Sequence, residues 1–169
     1  MADYYTSFSF VLDLPSAEAI KYAINLATIA ADLRWESEED RQTQEEEQFP
    51  KELELFLDEW DFEVAEEKSG IWIHSDDGGT DAACQFVQHL LDRFSIIEPV
   101  SFEWANTCNK PRLDAYGGGA AVITATDIKA ISTCQWVFKR LEKIRKTQER
   151  KSALGKNHES NQQCAALSQ

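Results

Sequence analysis

Apolar residues recur along this chain in two periods, every second position in some stretches and every third or fourth in others. The two periods divide it into strands and helices. In YTSFSFVLDL, Tyr5, Ser7 and Ser9 alternate with Phe8, Phe10 and Leu12, which predicts a first strand. Pro15 stops it. Ser16 then stands where a helix N-cap belongs, with Glu18 in the first turn, where the helix dipole favours an anion. Ile20, Ala23, Ile24, Ala27, Ala30 and Leu33 follow at helical spacing. They predict an amphipathic helix over 17–35, whose alanine-rich face suits close packing on a sheet.

Residues 36–50, ESEEDRQTQEEEQFP, lack either period and read as an exposed acidic loop. The next segment is ambiguous. Leu53, Leu55 and Leu57 alternate as in a strand, whereas Leu53, Phe56, Leu57 and Trp60 fit a helical turn; a short helix or irregular segment over the core edge is preferred. The hairpin that follows is clearer: Phe62 and Val64, a Lys68-Ser69-Gly70 turn, then Ile71 and Ile73 alternating with Trp72 and His74. DDGGT ends it, with Thr80 read as the cap of a helix over 81–94. Ala83, Phe86, Val87, Leu90, Leu91 and Phe94 form that helix's apolar stripe.

Val100, Phe102 and Trp104 share one face of another strand, and AAVITAT reads as a short central strand. Ser132 and Gln135 fit a capping box, with Ile131 and Trp136 as its hydrophobic staple. Val137, Leu141 and Ile144 then give a third helix a core stripe as far as about Arg150. The expected fold is α+β, a two-layer sandwich with a largely antiparallel sheet. Its order is the ferredoxin-like β-α-β-β-α-β, plus an extra strand and a C-terminal helix. Residues 1–150 are expected to form one domain and 151–169 a disordered tail. That fold hosts many functions and selects none.

Hydrophobic residues make up 43% of the 169, which places the chain among globular proteins. No run approaches the roughly 18 apolar residues of a membrane span, and MADYYTSFSF lacks the basic start of a signal peptide. Cys84, Cys108, Cys134 and Cys164 form no CxxC pair. Together these point to a cytoplasmic protein with reduced thiols. Charge changes the picture more. The net charge of −13 is unevenly spread: from Glu36 to Lys68 fifteen carboxylates face three cations, whereas from Lys139 to Lys156 eight cations face two carboxylates. The chain is bipolar along its sequence.

Candidate chemistry concentrates in TCNKPRLDAYGGGAAVITAT, residues 107–126. Lys110 and Arg112 supply cations, Asp114 a carboxylate, and Gly117, Gly118 and Gly119 backbone amides that an anionic ligand can approach closely. Neither GxxxxGK[ST] nor GxGxxG is present and no helix follows the glycines, so a structural strand connection is the preferred reading. His74, Asp76, Asp77, Cys84 and Cys108 match no zinc spacing. No metal, cofactor or catalytic residue is therefore assigned.

The acidic stretch reads either as a solvated loop or as a partner surface. In the second reading Glu45, Glu46, Glu47, Asp58 and Glu59 imitate a phosphate backbone, while Phe56 and Trp60 anchor a basic protein; the aromatics equally suit a core. The basic helix competes, with Lys139, Arg140, Lys143, Lys146 and Arg150 placed to meet nucleic acid, anionic lipid, the chain's own acidic segment or that of a second copy. Direct nucleic-acid binding and membrane binding are disfavoured by the overall acidity.

Phe102, Glu103, Trp104, Thr107, Cys108, Lys110, Pro111, Arg112, Asp114, Tyr116 and Gly117 to Gly119 resemble a block in small acidic proteins of bacteria and their phages and plasmids. The resemblance spans roughly residues 70–126 and brings no catalytic residues; it implies an origin in a mobile element and favours interaction over catalysis. The expected function is thus a non-enzymatic binder of a basic partner, conceivably an inhibitor that mimics nucleic acid. The alternative is a small anionic-ligand-binding or enzymatic domain built on the Lys110–Gly119 loop.

Overall fold

The computed structural model describes residues 2–34, 59–112 and 115–166, with side chains as far as Lys151. Met1–Ser132 and Thr133–Gln169 form separate compact units. In the first, six strands make one sheet: β1 (Tyr4–Asp13), β2 (Glu63–Glu67), β3 (Gly70–Ser75), β4 (Val100–Cys108), β5 (Gly117–Ile123) and β6 (Ile128–Ser132). Their spatial order is β2-β3-β1-β4-β5-β6, and every neighbouring pair is antiparallel. Among the described residues the unit also holds helices α1 (Ala17–Leu33) and α2 (Thr80–Arg93). The expected two-layer α+β architecture with an antiparallel sheet is present.

Period-two patterning decides which face is covered. Phe8 and Leu12 of β1, Ile71 and Ile73 of β3, Phe102 of β4 and Ile123 of β5 are all buried. Register brings them together, with Phe10 opposite Ile73, Leu12 opposite Ile71 and Phe102 opposite Ala121. The two helices bury their stripes in the same core, through Ala19, Ala23, Leu26 and Ala30 on α1 and Phe86, Val87, Leu90 and Leu91 on α2. Aromatic rings knit it: Phe10 stacks on Phe102 at 4.5 Å, and Trp60 meets Phe86 edge-on at 5.2 Å. Burying one such side chain stabilises the fold by about 1.5–3 kcal/mol.

Caps bear out one expectation and correct another. Ser16 accepts a hydrogen bond from the Ala19 amide at 3.2 Å and starts α1 as its sequence predicts. Thr80 does not cap α2; it is the first helical residue, and Gly79 is the N-cap with φ 74°, without a side-chain cap. The turn needs glycine there, because the backbone of Asp61 lies against it and the φ is left-handed.

Strand β6 is absent from the sequence reading. In Ile128, Lys129, Ala130, Ile131 and Ser132 apolar and polar residues do not strictly alternate, so no period marks the strand. Tertiary structure defines it instead. Thr124 and Asp127 close a turn in which the Thr124 amide donates to the Asp127 carbonyl at 2.9 Å and the Asp127 amide to Thr124 Oγ1 at 3.0 Å, laying Ile128–Ser132 along β5. Ile131 and Ser132 are the last two residues of this strand, and Ser132 stands directly before the helix that begins at Thr133.

The second unit is a single helix, α3 (Thr133–Ala166). Its backbone continues well past Arg150, through residues expected to be disordered. Val137, Leu141 and Ile144 of the predicted stripe are 46%, 57% and 44% exposed.

Candidate functional site

The glycine run that suggested a ligand loop lies inside β5 itself, opposite β4. Gly117 pairs with Asn106, Gly118 with Ala105 and Gly119 with Trp104. A Cβ on Gly119 would overlap the Trp104 ring and the carbonyl oxygen of Ile131, so the residue is small because the indole and β6 occupy its space. A glycine facing an aromatic across a strand pair is a known way to keep a bare backbone covered. This explains Gly119 without a ligand.

The rest of the loop is tied to the start of β1. The Asn109 amide donates to the Asp3 carbonyl at 3.2 Å, the Asp3 amide donates to Asn109 Oδ1 at 3.1 Å, and Asn109 Nδ2 donates to the Asp3 carboxylate. Arg112 Nη1 donates to the Tyr4 hydroxyl at 2.8 Å. Lys110 and Arg112 are both exposed, and Asp114 lies outside the described residues. The loop thus retains two surface cations beside a clamped strand end.

The acidic candidates divide similarly. Glu45, Glu46, Glu47, Phe56 and Asp58 lie outside the described residues. Glu59 is exposed, whereas Trp60 is 3% exposed and packs on Phe62 at 4.0 Å. The Trp60 indole therefore fastens its segment to the core and offers no surface to a partner. At the boundaries of the undescribed stretch, Arg34 and Asp61 form an ion pair at 2.6 Å, and Ser75 Oγ donates to the Asp61 carbonyl at 2.6 Å. Sequence reading missed this closure. Its only local signal is a lone arginine just past α1, before a stretch rich in acids.

Acids continue along the edge strand: Glu63, Glu66 and Glu67 of β2 are exposed. Charged edge residues discourage another strand from adding there. On the outer sheet face, Trp72 stacks on His74 at 3.9 Å and donates its indole N–H to Ser9 Oγ at 2.8 Å. His74 Nε2 is 3.8 Å from the exposed Glu63 carboxylate.

Two further features fall outside the sequence candidates. A cleft of about 730 Å³ runs between Val11–Pro15 and Phe94–Ser101. Its lining mixes apolar side chains with polar groups, Asp13 and Glu98 being the charged ones, and Asp13 already accepts a hydrogen bond from Ser69 Oγ. Between the two helices, the Tyr22 hydroxyl meets His89 Nε2 at 2.8 Å and Arg93 lies over the Tyr22 ring at 4.1 Å. His89 is thus a packing residue of α2.

Cys84 is buried on α2, and that burial, with Asp81 nearby, pushes its thiol up to about 12. Such a thiol is a poor nucleophile at neutral pH. Among the described residues there is no group of three or more His, Cys, Asp or Glu side chains able to hold a metal ion, and no helix is long and apolar enough to cross a membrane. No protein-family model, curated protein or solved structure matches the chain.

Proposed function

We propose that this chain is a non-enzymatic, cytoplasmic interaction protein whose acidic side holds a basic protein partner, in the manner of a nucleic-acid mimic carried by a mobile element. The observation that carries this reading is the separation of charge between the two units. Residues 1–132 hold twenty-seven carboxylates against nine cations, a net −18, whereas residues 133–169 hold eight cations against three carboxylates, a net +5. A body so one-sided steers cationic surfaces toward it and repels phosphates. The Arg34–Asp61 pair supports the reading further, because it brings together the boundaries of the most acidic stretch. The order β2-β3-β1-β4, with α1 joining β1 to β2 past the intervening β3, favours a ferredoxin-like split βαβ frame extended by β5 and β6.

The test is an affinity capture from nuclease-treated cytosol, repeated with a variant carrying Glu45→Gln, Glu46→Gln, Glu47→Gln, Asp58→Asn and Glu59→Gln. The captured protein is then purified and the complex reconstituted. A basic partner that binds stoichiometrically, is released as salt rises and ignores the neutralised variant sustains the proposal. A partner bound equally by the variant and at every salt concentration would sink it.

A further inference from the structure

Two apolar surfaces of this chain are exposed, and they complement each other in charge. The first belongs to α3. Val137, Leu141 and Ile144 recur along one face, with Trp136 and Phe138 beside them at 56% and 67% exposure. Spacing of 100° per residue places Arg140, Arg145 and Lys151 at the margins of that stripe and Lys139, Lys143, Lys146 and Arg150 away from it. An apolar seam framed by cations results.

The second surface is the outer face of the sheet. Register puts Val11 opposite Trp72, and Val122 opposite Ser101 and Lys129, on the face turned away from the helices. Val11, Trp72, Val122 and Ile131 are 49%, 40%, 48% and 50% exposed. Small side chains stand among them: Ser7, Ser9, Ala105 and Ala120 leave a shallow trough across the central strands. Asp13, Glu63, Glu67 and Glu103 share this face by strand alternation, and among the described strand residues Lys129 is its one lysine or arginine. An apolar trough framed by carboxylates results.

We propose that α3 of one copy lies on the outer sheet face of a second copy, and reciprocally, so that the protein is a two-fold dimer built by exchange of its C-terminal helix. Charge excludes the simplest rival. Two α3 helices paired with each other would bring seven cations against seven over residues 133–151, with only Glu142 and Glu149 on each to offset them. Charge complementarity favours the sheet face as the occupant's seat, since cations rim the helix seam and carboxylates rim the sheet face. Reciprocity also doubles the buried surface, which a single short apolar seam needs to approach the roughly 1,000 Å² of a specific interface. The proposal does not depend on the basic partner proposed above.

The experiment is sedimentation equilibrium of the full chain at low and high salt, with one variant on each side of the contact. Leu141→Asp with Ile144→Asp alters the helix seam, and Val122→Glu alters the trough. All three positions are exposed, and circular dichroism verifies that each variant folds. A dimer at low salt that weakens as salt rises is expected, with each variant raising the dissociation constant at least about tenfold. Mixing the two variants should restore one of the two contacts and yield a heterodimer that neither forms alone. Three results would overturn the proposal: a monomer at every concentration, a dimer indifferent to Val122→Glu, or a monomer that binds phosphatidylserine vesicles through α3.

Discussion

Helices α2 and α3 carry the same kind of apolar spacing and end in opposite circumstances. On α2, Phe86, Val87, Leu90 and Leu91 are all fully buried; on α3, Val137, Leu141 and Ile144 stand roughly half exposed. Periodicity is thus a statement about a helix's own geometry, and what covers the apolar face is settled elsewhere in the chain. Their polar faces differ as well. α2 mixes Asp81 and Asp92 with Arg93, whereas α3 is dominated by lysine and arginine. A helix that carries one sign of charge around an apolar seam calls for a surface of the other sign.

The sharpest way to break this comparison is to truncate one residue in each seam. Leu90→Ala should cost about 2–5 kcal/mol in urea unfolding. Leu141→Ala, measured in high salt where the proposed dimer is dissolved, should stay within about 0.5 kcal/mol. Equal losses would mean that α3 is part of the folded core after all.

A somewhat smaller effect tests the glycine run. Gly119→Ala should destabilise by about 1–3 kcal/mol, because the added methyl meets the Trp104 ring and the Ile131 carbonyl. Adding Trp104→Ala should recover part of that loss, a coupling that separate unfolding curves of the single and double variants would expose. Full additivity would remove the structural account of Gly119.

The two α-helical starts give a finer contrast. Ser16→Ala should cost about 1 kcal/mol through loss of its bond to the Ala19 amide. Thr80→Ala, which loses no side-chain cap, should change stability by less than about 0.5 kcal/mol. The thermal midpoints of the two variants suffice to rank them.

The smallest effect at neutral pH concerns Cys84. Its thiol is protonated in the folded protein up to about 12, above the ordinary value of 9.0. Its contribution to stability is therefore complete below pH 9 and is lost as pH rises toward 12, because the unfolded chain releases that proton first. Replacing Cys84 with Ala should leave the midpoint's slope against pH unchanged from 6 to 8 and flatten it above 9. In the native protein the exposed Cys134 should react with a thiol reagent far faster than Cys84.

How much of this was legible in the residues depends on the range of the interaction. Strand β1, the β2–β3 hairpin and the cores of α1 and α2 follow from local alternation and spacing, because each face repeats within a few residues. Gly119 reads from the sequence as part of a connection before the strand, whereas it lies within β5, because its partner Trp104 is in another strand and register is set by the whole sheet. Trp60 offered the same difficulty: among acidic neighbours it suits an interface anchor, yet Phe62 and Phe86 enclose it. Gly79 displaced Thr80 as the cap because of the Asp61 backbone against it, a contact no short window contains. Of the site residues, Lys110, Arg112 and Glu59 are on the surface as their polarity suggests. The Arg34–Asp61 closure requires knowing that the two boundaries of the acidic stretch meet.

The position of β1 has a consequence for synthesis. It sits inside the sheet, flanked by β3 and β4, and its partners extend as far as Cys108. As the chain leaves the ribosome, Phe8 precedes its β4 partner Trp104 by about a hundred residues. At roughly 5–20 residues per second, that interval is on the order of 5–20 s. For that time β1 has at most one of its two neighbours, and chaperone engagement of the nascent chain should be greatest before residue 108 clears the exit tunnel.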